Sequence, residues 1–233
     1  MRKTSPDRKA GKRGFSILEL VVVMAVGIIL TAMAIPKVTS MARNYRSIGD
    51  ARSLSDIVSL AKMRAAAQFT DARVYADTAN NLYRVEVWTL IPGQTQRCWV
   101  TDGDTSNPPQ CSANYSSPST PPSNYLSSGV TFGYGSLGSP PASSTQVTQA
   151  ALGQAAACQS DTDTQNQNAG SIANSACVVF NSRGIPVDNN MTATPNHALY
   201  VTDASSVYGV TILATGLIQT WRGDLSSGTW SYR

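Results

Sequence analysis

Lys12-Arg13-Gly14-Phe15-Ser16-Ile17-Leu18-Glu19-Leu20 opens an apolar run that continues without another charge to Ile35-Pro36. A basic leader, a Gly-Phe junction at a membrane edge and one carboxylate inside a lipid-like segment coincide there. An ionised carboxylate in a bilayer costs roughly 2.5–3.5 kcal/mol even on lenient insertion scales, so it marks function by default. As a helix, residues 15–35 would rise about 31 Å, matching a hydrocarbon core of about 30 Å. Lys9, Lys12 and Arg13 stand on the near side of this span. The positive-inside rule then puts the rest of the chain outside the cytoplasm. The plainer readings are a signal anchor whose Glu19 snorkels to the interface, or a signal peptide removed after Ala32-Met33-Ala34. Against the second, the apolar stretch exceeds the usual run of about 7–15 residues and carries a charge in its first turn.

The pattern G-F-[ST]-x-x-E-[LI] before about fifteen apolar residues resembles the signal of type IV prepilins and type II secretion pseudopilins. The resemblance implies a prepilin peptidase that cuts between Gly14 and Phe15 and methylates the new N-terminal Phe15. It also implies assembly with other pilins or pseudopilins on an inner-membrane platform. The physics of Glu19 fits that implication. After cleavage, Phe15 would carry a free amine with an ordinary pKa near 7.7–8.0. Glu19 lies one helical turn from its own amine and is able to reach that of a neighbouring subunit. Opposite charges that meet in low dielectric offset each other's desolvation, whereas either alone stays costly. The expected location is single-pass in the inner membrane, followed by a periplasmic or extracellular filament.

The leader, residues 1–14, holds six of the eighteen Lys and Arg residues and one of the fourteen Asp and Glu residues. The remaining chain has twelve basic and thirteen acidic residues, a net charge of −1, so it lacks the basic footprint of a nucleic-acid binder. Cys98, Cys111, Cys158 and Cys177 all lie in the exported part, where disulfides persist. Three pairings are open to four cysteines. The favoured one joins Cys98 to Cys111 and Cys158 to Cys177, because each bond would staple a polar loop at its base, contributing about 3 kcal/mol by chain entropy. No C-x-x-C pair occurs and His197 is the lone histidine, which disfavours zinc. Asp102-Gly103-Asp104-Thr105-Ser106-Asn107 mimics half a calcium loop, but Asn107 and Ala113 stand where Gly and Glu are needed. His197 has no G-x-S-x-G partner, and no Walker loop is present. No cofactor, metal or catalysed reaction is expected.

The expected fold class is α+β: a long N-terminal helix packed on a C-terminal antiparallel β-sheet domain. The organisation reads as a cleaved leader (1–14), a transmembrane and filament-core helix (15–35), an amphipathic helix (36–68) and an extracytoplasmic β-rich domain (69–233). Tyr45, Ile48, Leu54, Ile57, Val58, Ala61 and Ala65 recur at helical steps, leaving Arg46, Asp50, Ser53 and Lys62 on other faces. Pro36 should bend or loosen the helix. Arg73–Ala76 and Leu82–Leu90 read as a hairpin about Asn80-Asn81, and Arg97–Thr101 as a third strand. Further strands are expected at Val130–Tyr134, Cys177–Asn181, His197–Thr202, Tyr208–Ala214 and Leu217–Trp221. Residues 102–128 and 135–175 read as polar insertions, the first a surface loop and the second with a helical turn at Gln146–Ala157.

Val178-Val179-Phe180-Asn181-Ser182-Arg183-Gly184, Ala198-Leu199-Tyr200-Val201 and Thr215-Gly216-Leu217-Ile218 are similar to the GspH/FimT group of minor pilins and pseudopilins. In that group an F-x-x-x-G turn precedes strands ending at a Gly-Arg corner. Leu217 replaces that Arg, and of the basic residues reported to bind DNA there only Arg222 lies nearby. The reading is therefore a minor pilin or pseudopilin. A DNA receptor for competence and a membrane-anchored enzyme are the alternatives.

Overall fold

The computed structural model describes residues 16–112, 121–142, 152–160, 170–188, 191–194, 197–203 and 205–233. Its first element is one helix, α1 (Ile17–Gln68), which runs through Pro36 without interruption. Proline there can donate no backbone hydrogen bond, so the carbonyl one turn earlier goes without its helical partner. The chain divides into two compact units, one ending at Met41 and one spanning Ala42–Arg233. Every described residue of the first unit is exposed.

In the second unit the helix becomes one-sided. Ser47, Asp50, Ala51, Leu54, Val58, Ala61 and Ala65 are buried at steps of three and four. Two residues depart from the pattern read in the sequence. Tyr45 is exposed and Asp50 is buried. The stripe's N-terminal end is set by polar partners distant in sequence, which no local periodicity contains. Asp50 accepts from the backbone N–H and hydroxyl of Ser127, at 2.9 and 3.0 Å. Ser47 donates to Asp203, and the Tyr208 hydroxyl donates to Asn44 at 2.8 Å.

Two antiparallel sheets meet this stripe. The first runs β3 (Arg97–Thr101), β2 (Leu82–Leu90), β1 (Ala72–Asp77), β6 (Ser175–Phe180), β7 (Pro186–Val187), with β4 (Asn124–Tyr125) also pairing β2. The second runs β11 (Trp230–Tyr232), β10 (Ile218–Asp224), β9 (Ser206–Ile212), β8 (His197–Thr202), β5 (Thr131–Phe132). Val74, Val85 and Val178 of the first sheet and Leu199, Val210 and Ile212 of the second join Leu54, Val58 and Ala61 in one core. Burying each Val or Leu side chain stabilises by about 1.5–3 kcal/mol.

The strands read from alternation are present, with β3 and β8 at the expected bounds. The insertions need correction. Residues 102–128 are not wholly loop: they hold β4, and Cys111 bridges to Val100. The described part of the expected helical turn, 152–157, is non-helical and pairs with its neighbours: Ala155 N–H donates to the Ala198 carbonyl, and Cys177 N–H to the Ala156 carbonyl. Its apolar spacing reflects packing, since Leu152 caps Tyr200 on the outer face of β8. Residues 146–151 lie outside the described set.

The far end of α1 is closed by Phe69, which adopts φ 52°, while Thr70 N–H reaches back to the Ala65 carbonyl at 3.2 Å. Glycine is the usual residue in this left-handed closing position. Phe69 is 86% exposed, so its ring contributes little burial to offset the backbone cost. Phe69→Gly is expected to raise stability by about 1 kcal/mol, read as an increased urea midpoint. A lowered midpoint would show that the ring is held by contacts.

Candidate functional site

From Ile17 to Ile35 the helix presents Ile, Leu, Val and Met on every face, each at least half exposed. Its most apolar window has a mean hydropathy of 2.6 and no buried residue, which is long and apolar enough to cross a membrane. Its two hydroxyl groups are paired within the helix. The Thr31 hydroxyl donates to the carbonyls of Gly27 and Ile28, both at 2.9 Å. Ser16 begins the helix: its hydroxyl accepts from Leu18 N–H at 3.3 Å, and its carbonyl from Leu20 N–H at 3.1 Å. Such internal pairing is what a segment without water requires.

Glu19 is the exception. It lies in the first turn, exposed, and no ion pair is formed by it among the described residues. A carboxylate in the first turn is favoured by the helix dipole by about 0.3–1 kcal/mol, less than its cost in lipid. Gly14 and Phe15 lie outside the described residues.

The cysteines pair as Cys98–Cys111 and Cys158–Cys177. Beside them lies a buried charge cluster on the outer face of the first sheet. Arg73 faces Glu86, and Tyr75 faces Arg84, across β1 and β2. Glu86 is fully buried and is bonded by Arg73 at 2.6 Å, Arg84 at 2.8 Å and the Ser112 hydroxyl at 2.7 Å. Arg73 lies 4.2 Å above the Trp99 ring, and Arg84 4.2 Å above the Tyr75 ring. Sequence alternation placed Arg84 and Glu86 on one strand face, but nothing local shows that this face is also covered.

Other sequence candidates resolve plainly. Asp104 directs its carboxylate to the Ser106 N–H and hydroxyl and to Gln110 N–H, while Asp102 pairs with Arg64 at 2.9 Å. No group of three possible metal ligands exists among the described residues. His197 begins β8, and its side chain lies outside the described set.

The Gly-corner is built around Lys62. Its ammonium donates to the Gly216 carbonyl at 2.9 Å. A Cβ on Gly184 would meet the Lys62 stem at 3.0 Å, and one on Gly216 would meet the Gly184 carbonyl at 2.9 Å. Both glycines also have positive φ, 71° and 77°. Lys62 is thus half-buried, between the two turns. Its spacing in α1 does not reveal this, because the acceptor comes from residue 216. Arg222 sits inside β10 opposite Tyr208, six positions beyond Gly216. The corner itself offers the exposed apolar Leu217.

Residues 9–35 match the family described as the prokaryotic N-terminal methylation motif. No curated protein and no solved structure matches the chain. The N-terminus is therefore type IV prepilin-like, and it carries an apolar helix suited to an inner-membrane anchor.

The charge cluster has a measurable consequence. Burial pushes the Glu86 carboxyl up, but Arg73, Arg84 and the Ser112 hydroxyl together outweigh it and hold the group below its ordinary value of 4.5. A carboxyl held low in the folded state stabilises fully above the unfolded value. That stability is lost as pH falls below about 4.5 toward the folded value. Glu86→Gln leaves two guanidinium groups buried without their carboxylate, at a cost of about 3–5 kcal/mol. Urea midpoints across a pH series should show a large loss at neutral pH and a shallower decline below pH ~4.5 than the parent. A decline of unchanged steepness would contradict this.

Proposed function

We propose that this chain is a minor pilin or pseudopilin. It would be cut between Gly14 and Phe15, methylated on Phe15, and assembled into a type IV pilus or a type II secretion pseudopilus. The supporting observation is the all-round exposed apolar helix with one carboxylate in its first turn, coincident with the methylation motif. The segment has a leader (1–14), a membrane and filament-core helix (15–35), an amphipathic continuation (36–68) and an outward-facing β-rich domain (69–233). In this reading Glu19 pairs with the Phe15 amine of an adjacent subunit. Transfer from bilayer to filament is then favoured because it brings together two charges that are each costly alone.

The role is structural, and the energy for assembly comes from the inner-membrane platform. Partners are other pilins or pseudopilins, the peptidase, the platform and the membrane. The similarity of residues 177–222 to the GspH/FimT group supports the reading as a minor pilin or pseudopilin. The corner occupied by Lys62 and Leu217 gives no support to a DNA receptor, since the Lys62 ammonium is engaged with Gly216.

Two outcomes are expected. Mass spectrometry of the exported chain should give an N-terminus of methylated Phe15; a chain beginning at Ile35 would sink the proposal. Glu19→Ala should be processed and accumulate at normal level yet fail to enter filaments, as read by shearing and immunoblot. Wild-type incorporation of that variant would remove the pairing role.

A further inference from the structure

The buried cluster on the first sheet receives one ligand from each long insertion, and each ligand directly follows a cysteine. Ser112, next to Cys111, donates its hydroxyl to Glu86 at 2.7 Å. Gln159, next to Cys158, offers the carbonyl that accepts from Arg73 Nη1 at 2.7 Å. The partner cysteines bracket the cluster: Cys98 lies on β3 and Cys177 on β6, the strands flanking β2 and β1. Cys177 faces Tyr75 directly, and Tyr75 carries the Arg84 guanidinium on its ring. Two loops with no sequence relation to each other thus deliver polar groups to one cluster, Ser112 to Glu86 and Gln159 to Arg73, each fixed one residue away by a disulfide.

We propose that formation of the two disulfides is the step that completes this cluster, and that a thiol-oxidation reaction must precede the fully closed subunit. In the dithiol form the loops are free to leave, so Glu86 loses a donor and Arg73 an acceptor in a site already desolvated. Unmet buried polar groups of that kind oppose closure of the sheet face. The reaction is a thiol–disulfide exchange. One cysteine thiolate attacks a disulfide oxidant, forming a mixed disulfide, and the second cysteine displaces the oxidant's remaining sulfur. Each pair gives up two electrons and two protons, and the oxidant becomes two thiols. Such an oxidant is met on the exported side of the membrane and not on the cytoplasmic side. Closure of the first sheet is thereby tied to export, independently of anything Glu19 does.

The test is hydrogen exchange with mass spectrometry on the full chain in detergent micelles, oxidised or reduced with its thiols blocked. Amides of 72–77 and 82–88 should lose about tenfold or more in protection on reduction, while 206–212 and 218–224 keep theirs. Unchanged protection in the first sheet, or equal loss in both sheets, would overturn the proposal. Ser112→Ala, which keeps both disulfides, provides a second arm. It should loosen residues 84–88 in the oxidised chain, and add nothing once Cys98 and Cys111 are replaced by Ala. An equal effect in both backgrounds would mean that the disulfide acts only by closing a loop.

Discussion

One carboxylate, Glu19, stands in the first turn of a helix that carries no other charge as far as Ile35, and that constraint governs the first unit. A helix with Ile, Leu and Val facing outward throughout needs lipid or copies of itself. The hydrophobic effect alone does not choose between them, because lipid tails and packed helices are equally dry. A charge does choose. Lipid offers Glu19 no partner, whereas a subunit ending in a free amine offers one. On the proposed reading, proteolysis creates the counter-charge, and assembly is what lets the two meet.

The second unit solves a different problem, which is holding the lower half of α1 on two sheets with few charges to spare. Its helix stripe is fastened at one end by three polar pairs: Ser47 with Asp203, Asp50 with Ser127 and Asn44 with Tyr208. The apolar steps from Ala51 to Ala65 fill the middle. The long insertions then serve as covers. Ser112 and Gln159, each beside a disulfide-bonded cysteine, lie against the charged face of the first sheet. Leu152, Tyr134 and Trp230 close over Tyr200 on the second. Gly209 leaves room for the Tyr200 ring, which occupies the space a Cβ would need. The central strands β1, β2 and β9 are thereby buried on both faces, so segments that look like idle polar loops are part of the core.

That arrangement decides what could be read from the residues alone. The helix, the β1–β2 hairpin, β3 and β8 announce themselves because periodicity and turn residues are local signals. The strands β4, β7 and β11 have only two or three residues each and carry no period. Leu152 and Ala155 mimic helical spacing in a non-helical segment, because the contacts that fix them come from β8. Tyr45 and Asp50 exchange places with respect to burial for the same kind of reason: Ser127 lies 77 residues from Asp50. Of the candidate site, Glu19 and the cysteine pairs were visible as isolated residues. The Arg73–Glu86–Arg84 cluster and the seat of Lys62 depend on chain segments that meet only in the fold.

The central claim concerns a contact between subunits, and it is best tested by a distance measured between them. Filaments would be grown from two populations mixed equally, one with ¹⁵N in Phe15 and the other with a ¹³C-labelled Glu19 carboxyl. Solid-state dipolar dephasing then reports only pairs that cross a subunit boundary. The account predicts dephasing characteristic of a direct ion pair. Filaments that form normally with no dephasing between the two labels would contradict it.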